Sequence, residues 1–245
     1  MLGHLARRFV SADTFYLMRY RLDASRGLGD LYNRHDSGHW LSQLPPDLGL
    51  IMDGFPRSAN TYSRFAFLRA NPDVTISTHR HSPRALEQGV RRGVPTILLI
   101  RDPVSAVASG SNFDDGLTYE TLLRCWVHYH RRASRIADRL LVVRFQDAIA
   151  DFGHVIELCN QRFGSSFAPY RKTDENEAAV RAETEALAAL YRPELFDRVV
   201  GRPSEARTRS QEDMLATLSD HGRELLRRAV ALHQRLDGLA APGPS

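Results

Sequence analysis

Three short stretches of this chain carry side chains suited to chemistry on an anion. The first, Asp53-Gly-Phe-Pro-Arg-Ser-Ala-Asn-Thr-Tyr62, follows an apolar run and leads into a helical pattern. Small and hydroxylated residues at such a turn let backbone N–H groups face outward, and a helix N-terminus adds partial positive charge. With Arg57 supplying a full charge, the loop is suited to a phosphate or sulfate. Pro56, Ser58 and Asn60 are equally compatible with a plain turn and helix cap. The second stretch, Arg101-Asp-Pro-Val-Ser-Ala-Val-Ala-Ser109, places an arginine at the end of an apolar run and a hydroxyl two turns into the next helix. Together they can grip a phosphate; alternatively Arg101 pairs with Asp102 or caps the helix.

The third stretch is Thr78-His-Arg-His-Ser-Pro83. Histidine titrates near neutrality and suits the removal of a proton, so His79 and His81 are candidate bases. A metal reading of two histidines at i and i+2 lacks a supporting carboxylate. The remaining histidines are scattered singly and read as surface or helix-packing residues. Asp53 is an alternative base, or a carboxylate that caps its own loop.

These residues need a scaffold that brings three loops to one edge. The apolar runs Leu48–Met52, Val74–Thr78, Thr96–Ile100 and Leu140–Val143 predict strands buried on both faces. Helical patterns lie between them at Ser63–Ala70, Pro83–Arg91 opened by Ser82, Pro103–Ser109, and a long stretch with Tyr119, Leu122, Leu123, Trp126, His130, Ala133 and Ala137 on one face. Strands alternating with helices predict an α/β fold, a central parallel sheet flanked by helices, with ligands beyond the carboxyl ends of the strands. All three stretches fall at that edge.

Residues 1–46 read as a helical appendage, with Leu2, Leu5, Phe9, Phe15 and Leu17 among charges and a Gly- and Asp-rich stretch from Arg26 to Gly38. Residues 47–165 form the recognisable core of a single domain. Residues 166–245 read as a helical C-terminal part: a helix over Glu177–Tyr191, an Arg-rich link over Arg198–Arg209, one amphipathic helix through Met214, Leu218, Leu225, Ala229, Leu232 and Leu236, and a loose tail from Ala240.

Composition narrows the classes. The 245 residues are 42% hydrophobic and 25% charged, near the averages for a globular chain. The net charge of +4 hides an asymmetry: of 33 basic residues only Lys172 is lysine, leaving 32 arginines. Arginine is a permanently charged fork suited to phosphate and sulfate, although base composition also enriches it. Most of the excess falls on predicted outer helix faces such as Arg131, Arg132, Arg135 and Arg139 and reads as compositional; the mild net charge says little about a nucleic-acid partner, and none is expected. With a single lysine and no Gly-Lys-Ser/Thr ending, the loop at 53–62 is not that of a nucleoside triphosphatase. Cys125 and Cys159 sit in apolar periodic segments and read as buried free thiols. No apolar run is long enough for a membrane span or a signal peptide core, so a cytoplasmic location is expected.

Pro56-Arg-Ser-Ala-Asn-Thr-Tyr62 resembles the 5'-phosphosulfate loop, Pro-Lys-Ser-Gly-Thr-Thr-Trp, of the sulfotransferases that use 3'-phosphoadenosine 5'-phosphosulfate (PAPS). Arg57, Ala59, Asn60 and Tyr62 replace Lys, Gly, Thr and Trp. Arg101-Asp-Pro103 with Ser109 eight residues after the arginine resembles that family's 3'-phosphate motif. Ile76-Ser-Thr-His79 resembles its Ile-Lys-Thr-His, and Val142-Val-Arg-Phe-Gln-Asp147 its strand ending in Tyr-Glu-Asp, with Phe145 in place of the tyrosine.

The resemblance, which runs from about Leu48 to Phe163, implies a P-loop-like sulfotransferase fold and transfer of the sulfuryl group of PAPS to a hydroxyl or amine by in-line displacement. It implies that His79 is the base, with His81 as competitor, and that Arg57 and the amides of Ser58, Ala59, Asn60, Thr61 and Tyr62 hold the 5'-phosphosulfate. Arg101 and Ser109 would hold the 3'-phosphate. A late loop usually worded Arg-Lys-Gly closes over the donor in the family; here Arg207, or else Arg202 or Arg209, stands in its place. The scheme needs no metal. The acceptor, whether carbohydrate, lipid or small aromatic, is not specified, and neither is the oligomeric state. The alternatives are a non-catalytic relative that binds an adenine nucleotide or anion, and an atypical small-molecule kinase.

Overall fold

A computed structural model describes residues 11–24, 44–111, 116–191 and 205–244 of the chain. Four strands form one parallel sheet: β1 (Leu50–Gly54), β2 (Ile76–Ser77), β3 (Thr96–Ile100) and β4 (Leu141–Arg144), in the order β2-β1-β3-β4. All residues of β1 and β3 are buried, as continuous apolar runs in a sheet covered on both sides require. Alternate residues serve opposite faces. Ile51, Leu98, Ile100 and Val142 point into one core, and Leu50, Met52, Ile97, Leu99, Leu141 and Val143 into the other.

The first core is closed by α1 (Ala12–Ala24), α3 (Pro83–Arg92), α4 (Pro103–Ser111), α5 (Tyr119–Ala133), α9 (Glu205–Thr217) and α10 (Asp220–Asp237). The second is closed by α2 (Asn60–Ala70), α6 (Phe145–Ala150), α7 (Phe152–Phe163) and α8 (Asp174–Tyr191). The chain leaves β1 toward one face and β3 toward the other, so the order of strands reverses between them. Such a switch point opens a crevice beyond the carboxyl ends of the two strands. Gly54 ends β1 there, and a Cβ on it would lie 2.5 Å from the Leu99 carbonyl oxygen of β3, so only glycine fits.

Several expectations from the sequence are corrected. The described part of the N-terminal segment is built into the core: Tyr20 is buried, and Asp13 accepts from the backbone N–H and hydroxyl of Thr118 ahead of α5. The long helix at 119 ends at Ala133, and Ala137 belongs to a separate 3₁₀ turn. The last amphipathic pattern is two helices. Ser219 caps α10 by accepting from Gly222 N–H, a break that the apolar periodicity runs straight through. Ser82 stands ahead of α3 without capping it through its side chain. Arg132 lies on no free face, because its guanidinium makes a bidentate pair with Glu87 of α3. The expected loose tail is tied down: Ala241 N–H donates to Val142 O at 2.9 Å, and Arg144 reaches the Ala241 carbonyl. Residues 205–209 of the expected Arg-rich link are helical, in α9. Leu2, Leu5, Phe9, the 26–38 stretch and residues 198–204 lie outside the described residues.

Both cysteines are free and buried, which pushes the Cys125 thiol up to about 12 and Cys159 to about 11. Among the described residues no helix is long and apolar enough to cross a membrane.

Candidate functional site

Four non-glycine residues among those described have a left-handed backbone: Arg57 (φ 73°), Ala59 (φ 68°), His79 (φ 58°) and His81 (φ 46°). Each such residue costs about 1–2 kcal/mol. All four lie in the loops that follow β1 and β2, where the sequence places its anion loop and its candidate bases. Strain kept in two neighbouring loops at the sheet's carboxyl edge marks a site whose shape is held by its surroundings.

The first loop runs from Phe55 into α2. Ala59 occupies the N-cap position in the left-handed region, and no side chain caps the helix there. The first-turn amides of Asn60, Thr61 and Tyr62 therefore have no intrahelical acceptor and carry the helix's positive end. Asn60 pins the turn from inside by donating Nδ2–H to Phe55 O at 3.1 Å. Ser58 Oγ is buried with no hydrogen-bond partner among the described residues, which leaves its hydroxyl hydrogen available in the same turn.

The second loop brings in the 101–109 segment. Arg57 Nε donates to Ser109 Oγ at 2.8 Å, and Arg101 Nη1 donates to the Arg57 carbonyl at 2.8 Å. The Arg101 guanidinium lies 4.2 Å from the centre of the Phe145 ring, so the aromatic face at the end of β4 supports it. Asp102, a possible partner for Arg101, instead caps α4 by accepting from Ser105 N–H. Residues expected to serve two ends of one ligand thus meet within hydrogen-bond distance.

The third loop carries the histidines. His79 is half-buried, with Nε2 2.9 Å from Thr61 Oγ1 and Nδ1 2.9 Å from Thr78 Oγ1. In a neutral ring one nitrogen donates and the other accepts, so one threonine hydroxyl donates and its counterpart accepts. Burial first, and the Arg64 charge second, lower His79 to about 4. His81 is buried, and its Nδ1–H donates to Gly54 O at 2.7 Å. That bond fixes its tautomer; burial and the neighbouring His79 hold it well below the usual histidine range. The two rings are 5.8 Å apart, edge to face.

Beneath them lies Asp53, fully buried on β1. Its Oδ1 accepts from His81 N–H and its Oδ2 from Ser82 N–H, both at 3.0 Å. Burial raises its carboxyl to about 7 against the opposing pull of those amides.

Tyr62, at the end of the anion loop, donates to Glu177 Oε1 at 2.8 Å, and Tyr170 donates to the same oxygen at 2.9 Å. This bridge ties α8 to the loop. The late arginines divide. Arg209 is exposed on α9, Arg202 lies outside the described residues, and for Arg207 only the helical backbone is described. Helix α9 docks on α4, with Ser210 Oγ donating to Ala108 O and Gln211 Nε2 to Ser105 Oγ.

The sequence reading did not foresee Thr78, the Phe145 ring under Arg101, or the two-oxygen clamp of Asp53. A carboxylate inside an apolar strand run, next to a glycine at the strand end, was the available signal for the last. Comparison with family models, curated proteins and solved structures found no match for this chain.

Proposed function

We propose that the chain is a sulfotransferase that moves the sulfuryl group of PAPS to a hydroxyl or amine of an acceptor. The observation that carries this reading is the junction of Arg57, Ser109 and Arg101, where an uncapped helix N-terminus and two arginines converge at the switch point of the sheet. The donor set fits a ligand with anionic groups at two ends, and PAPS when bound supplies the sulfuryl group and its leaving group. Arg57 and the amides of Asn60, Thr61 and Tyr62 bind the 5' end and offset charge developing there. Arg101, stiffened by Phe145, and Ser109 bind the 3'-phosphate; Ser109 gives up or shares its bond to Arg57 when they do.

His79 accepts the acceptor's proton. It is neutral at physiological pH, and its placement against Thr61 puts it beside the donor loop. A bound polyanion raises its proton affinity from the low value that burial imposes, toward the range a base needs. His81, committed to Gly54 O, serves the loop rather than the proton.

Calorimetry of adenosine 3',5'-bisphosphate against adenosine 5'-monophosphate, with Arg101→Ala alongside, tests the reading. The bisphosphate is expected to bind at least about tenfold more tightly, from one added charge-assisted contact, and R101A to erase the difference. Equal affinities in the wild type would sink the donor assignment. Once an acceptor is found in a panel of sugars, phenols and amines, undiminished sulfation by His79→Ala would move the base elsewhere.

A further inference from the structure

We infer that Asp53 is the positioning residue of the base-bearing loop: its two carboxylate oxygens, each taking one backbone amide, hold the 79–82 loop, left-handed at His79 and His81, in the path that sets His79 against Thr61. This rests on the reading of His79 as the proton acceptor. Two of the four left-handed residues lie in this short segment between β2 and α3, and such a path persists only where its surroundings dictate it.

Asp53 can dictate it because the residue sits on β1, paired in register with Leu98 of β3, at the centre of the sheet. The amides it takes are not those of a helix first turn. They belong to His81 and Ser82, which precede Pro83, so the carboxylate serves the loop and not helix α3. Three further bonds act in the same direction. His81 Nδ1–H donates to Gly54 O, Arg80 Nε donates to Ser77 Oγ at 3.1 Å, and Arg19 of α1 donates to the Arg80 carbonyl at 3.1 Å.

Asp53 does not act as the base itself, because it is fully buried beneath the loop, whereas His79 is partly open. The charged and titratable groups that face Asp53 are Arg19 and Tyr20 from α1, with Arg80 and His81 from the loop. Those that act on His79 are Arg64 from α2 and its neighbour His81.

The test uses the full chain, with Asp53→Asn and Asp53→Ser beside the wild type. Asparagine keeps one acceptor oxygen and turns an NH₂ toward the other amide; serine removes most of the clamp. The readouts are the His79 ring titration by NMR, assigned with His79→Gln, and the affinity for adenosine 3',5'-bisphosphate. Released from the clamp, His79 becomes more hydrated, and its midpoint is expected to rise from about 4 by at least about one pH unit toward the ordinary histidine value. The bisphosphate affinity should stay within roughly threefold, since the amides that Asp53 takes belong to His81 and Ser82 and not to the loop at 57–62.

An unmoved His79 midpoint in a folded variant overturns the proposal. Should both variants fail to fold, hydrogen exchange on the wild type decides. Protection of the His81 and Ser82 amides comparable to that of β1 supports the clamp, and free exchange overturns it. If the wild type does not bind the bisphosphate while His79 still shifts in the variants, the donor reading falls and the clamp stands.

Discussion

Arg57 and Ser109, separated by 52 positions in the chain, are joined by a 2.8 Å hydrogen bond from Nε to Oγ. The bond exists because β1 and β3 are neighbours, so the loop after one strand and the helix after the other open onto the same crevice. It makes one unit of the two segments proposed to bind the donor's anionic groups, and several measurable outcomes depend on it.

Ser109→Ala is expected to weaken adenosine 3',5'-bisphosphate binding about tenfold or more, while leaving adenosine 5'-monophosphate within about twofold. A hydrogen bond to a charged group is worth about 1.5–3 kcal/mol, and on the proposed donor reading only the bisphosphate would engage this hydroxyl. Isothermal titration of both ligands reads the outcome. A parallel loss for both would assign Ser109 to loop support alone.

Phe145 sits where the resembling family has tyrosine, yet the side of the ring that meets Arg101 is its face, not its edge position. Phe145→Ala should therefore weaken bisphosphate binding several-fold, in line with about 0.5–2 kcal/mol for a cation over an aromatic ring. Phe145→Tyr should stay near wild type. If tyrosine instead tightened binding tenfold, the hydroxyl rather than the ring face would be the missing contact.

Ala59→Gly should stabilise the chain. Alanine at φ 68° bears a steric cost of about 1–2 kcal/mol that glycine lacks, offset by roughly 0.5–1 kcal/mol of extra freedom in the unfolded chain. A net gain of up to about 1.5 kcal/mol corresponds to a rise of a few degrees in Tm by calorimetry. Ala59→Val, which adds a β-branch at the same backbone angle, should lower it.

Acidification should destabilise the fold between pH 6.5 and 4. His79 and His130 are held near 4 and near 3 by burial, so in that window the unfolded chain binds more protons than the folded one, and stability falls as pH falls. His81 and His128, also lowered, act in the same direction. Asp53, raised to about 7, opposes them, because there the folded state holds the extra proton. The histidines outnumber it, and the net slope should be at least roughly 1 kcal/mol per pH unit. Urea midpoints at pH 7, 6 and 5 measure it. His130→Asn, whose amide can keep the donation to Trp126 O, should make the slope shallower.

Much of the scaffold was legible in the sequence because buried parallel strands are continuous apolar runs: Thr96–Ile100 is β3 to the residue, and β1 and β4 shift by one or two positions. The same logic missed the break at Ser219, since apolar spacing carries on across a cap and only the local hydrogen bond ends the helix. In the site, Arg57, Arg101 and His79 could be placed at one edge from their positions after strands. Their bonds could not: which nitrogen meets which hydroxyl depends on backbone angles such as those of Arg57 and His79, which residue type does not encode. Lys172 illustrates the limit from the other side. The lone lysine drew notice only by rarity, and its ammonium turns out to cap the carbonyls of Ile149 and Ala150 at the end of α6.

The bond from Ala241 to Val142 reaches further than the fixing of a tail. Strand β4 is one border of the sheet, and a bare border offers a row of amides and carbonyls to any extended peptide. Here one acceptor of that row, Val142 O, is taken by Ala241 N–H, and Arg144 is fastened to both Asp237 and Ala241, while the opposite border among the described strands, β2, is only two residues long. Among the described residues the β4 border is therefore not a fully bare edge, and removal of Ala241 would free the Val142 carbonyl as an acceptor for an added strand.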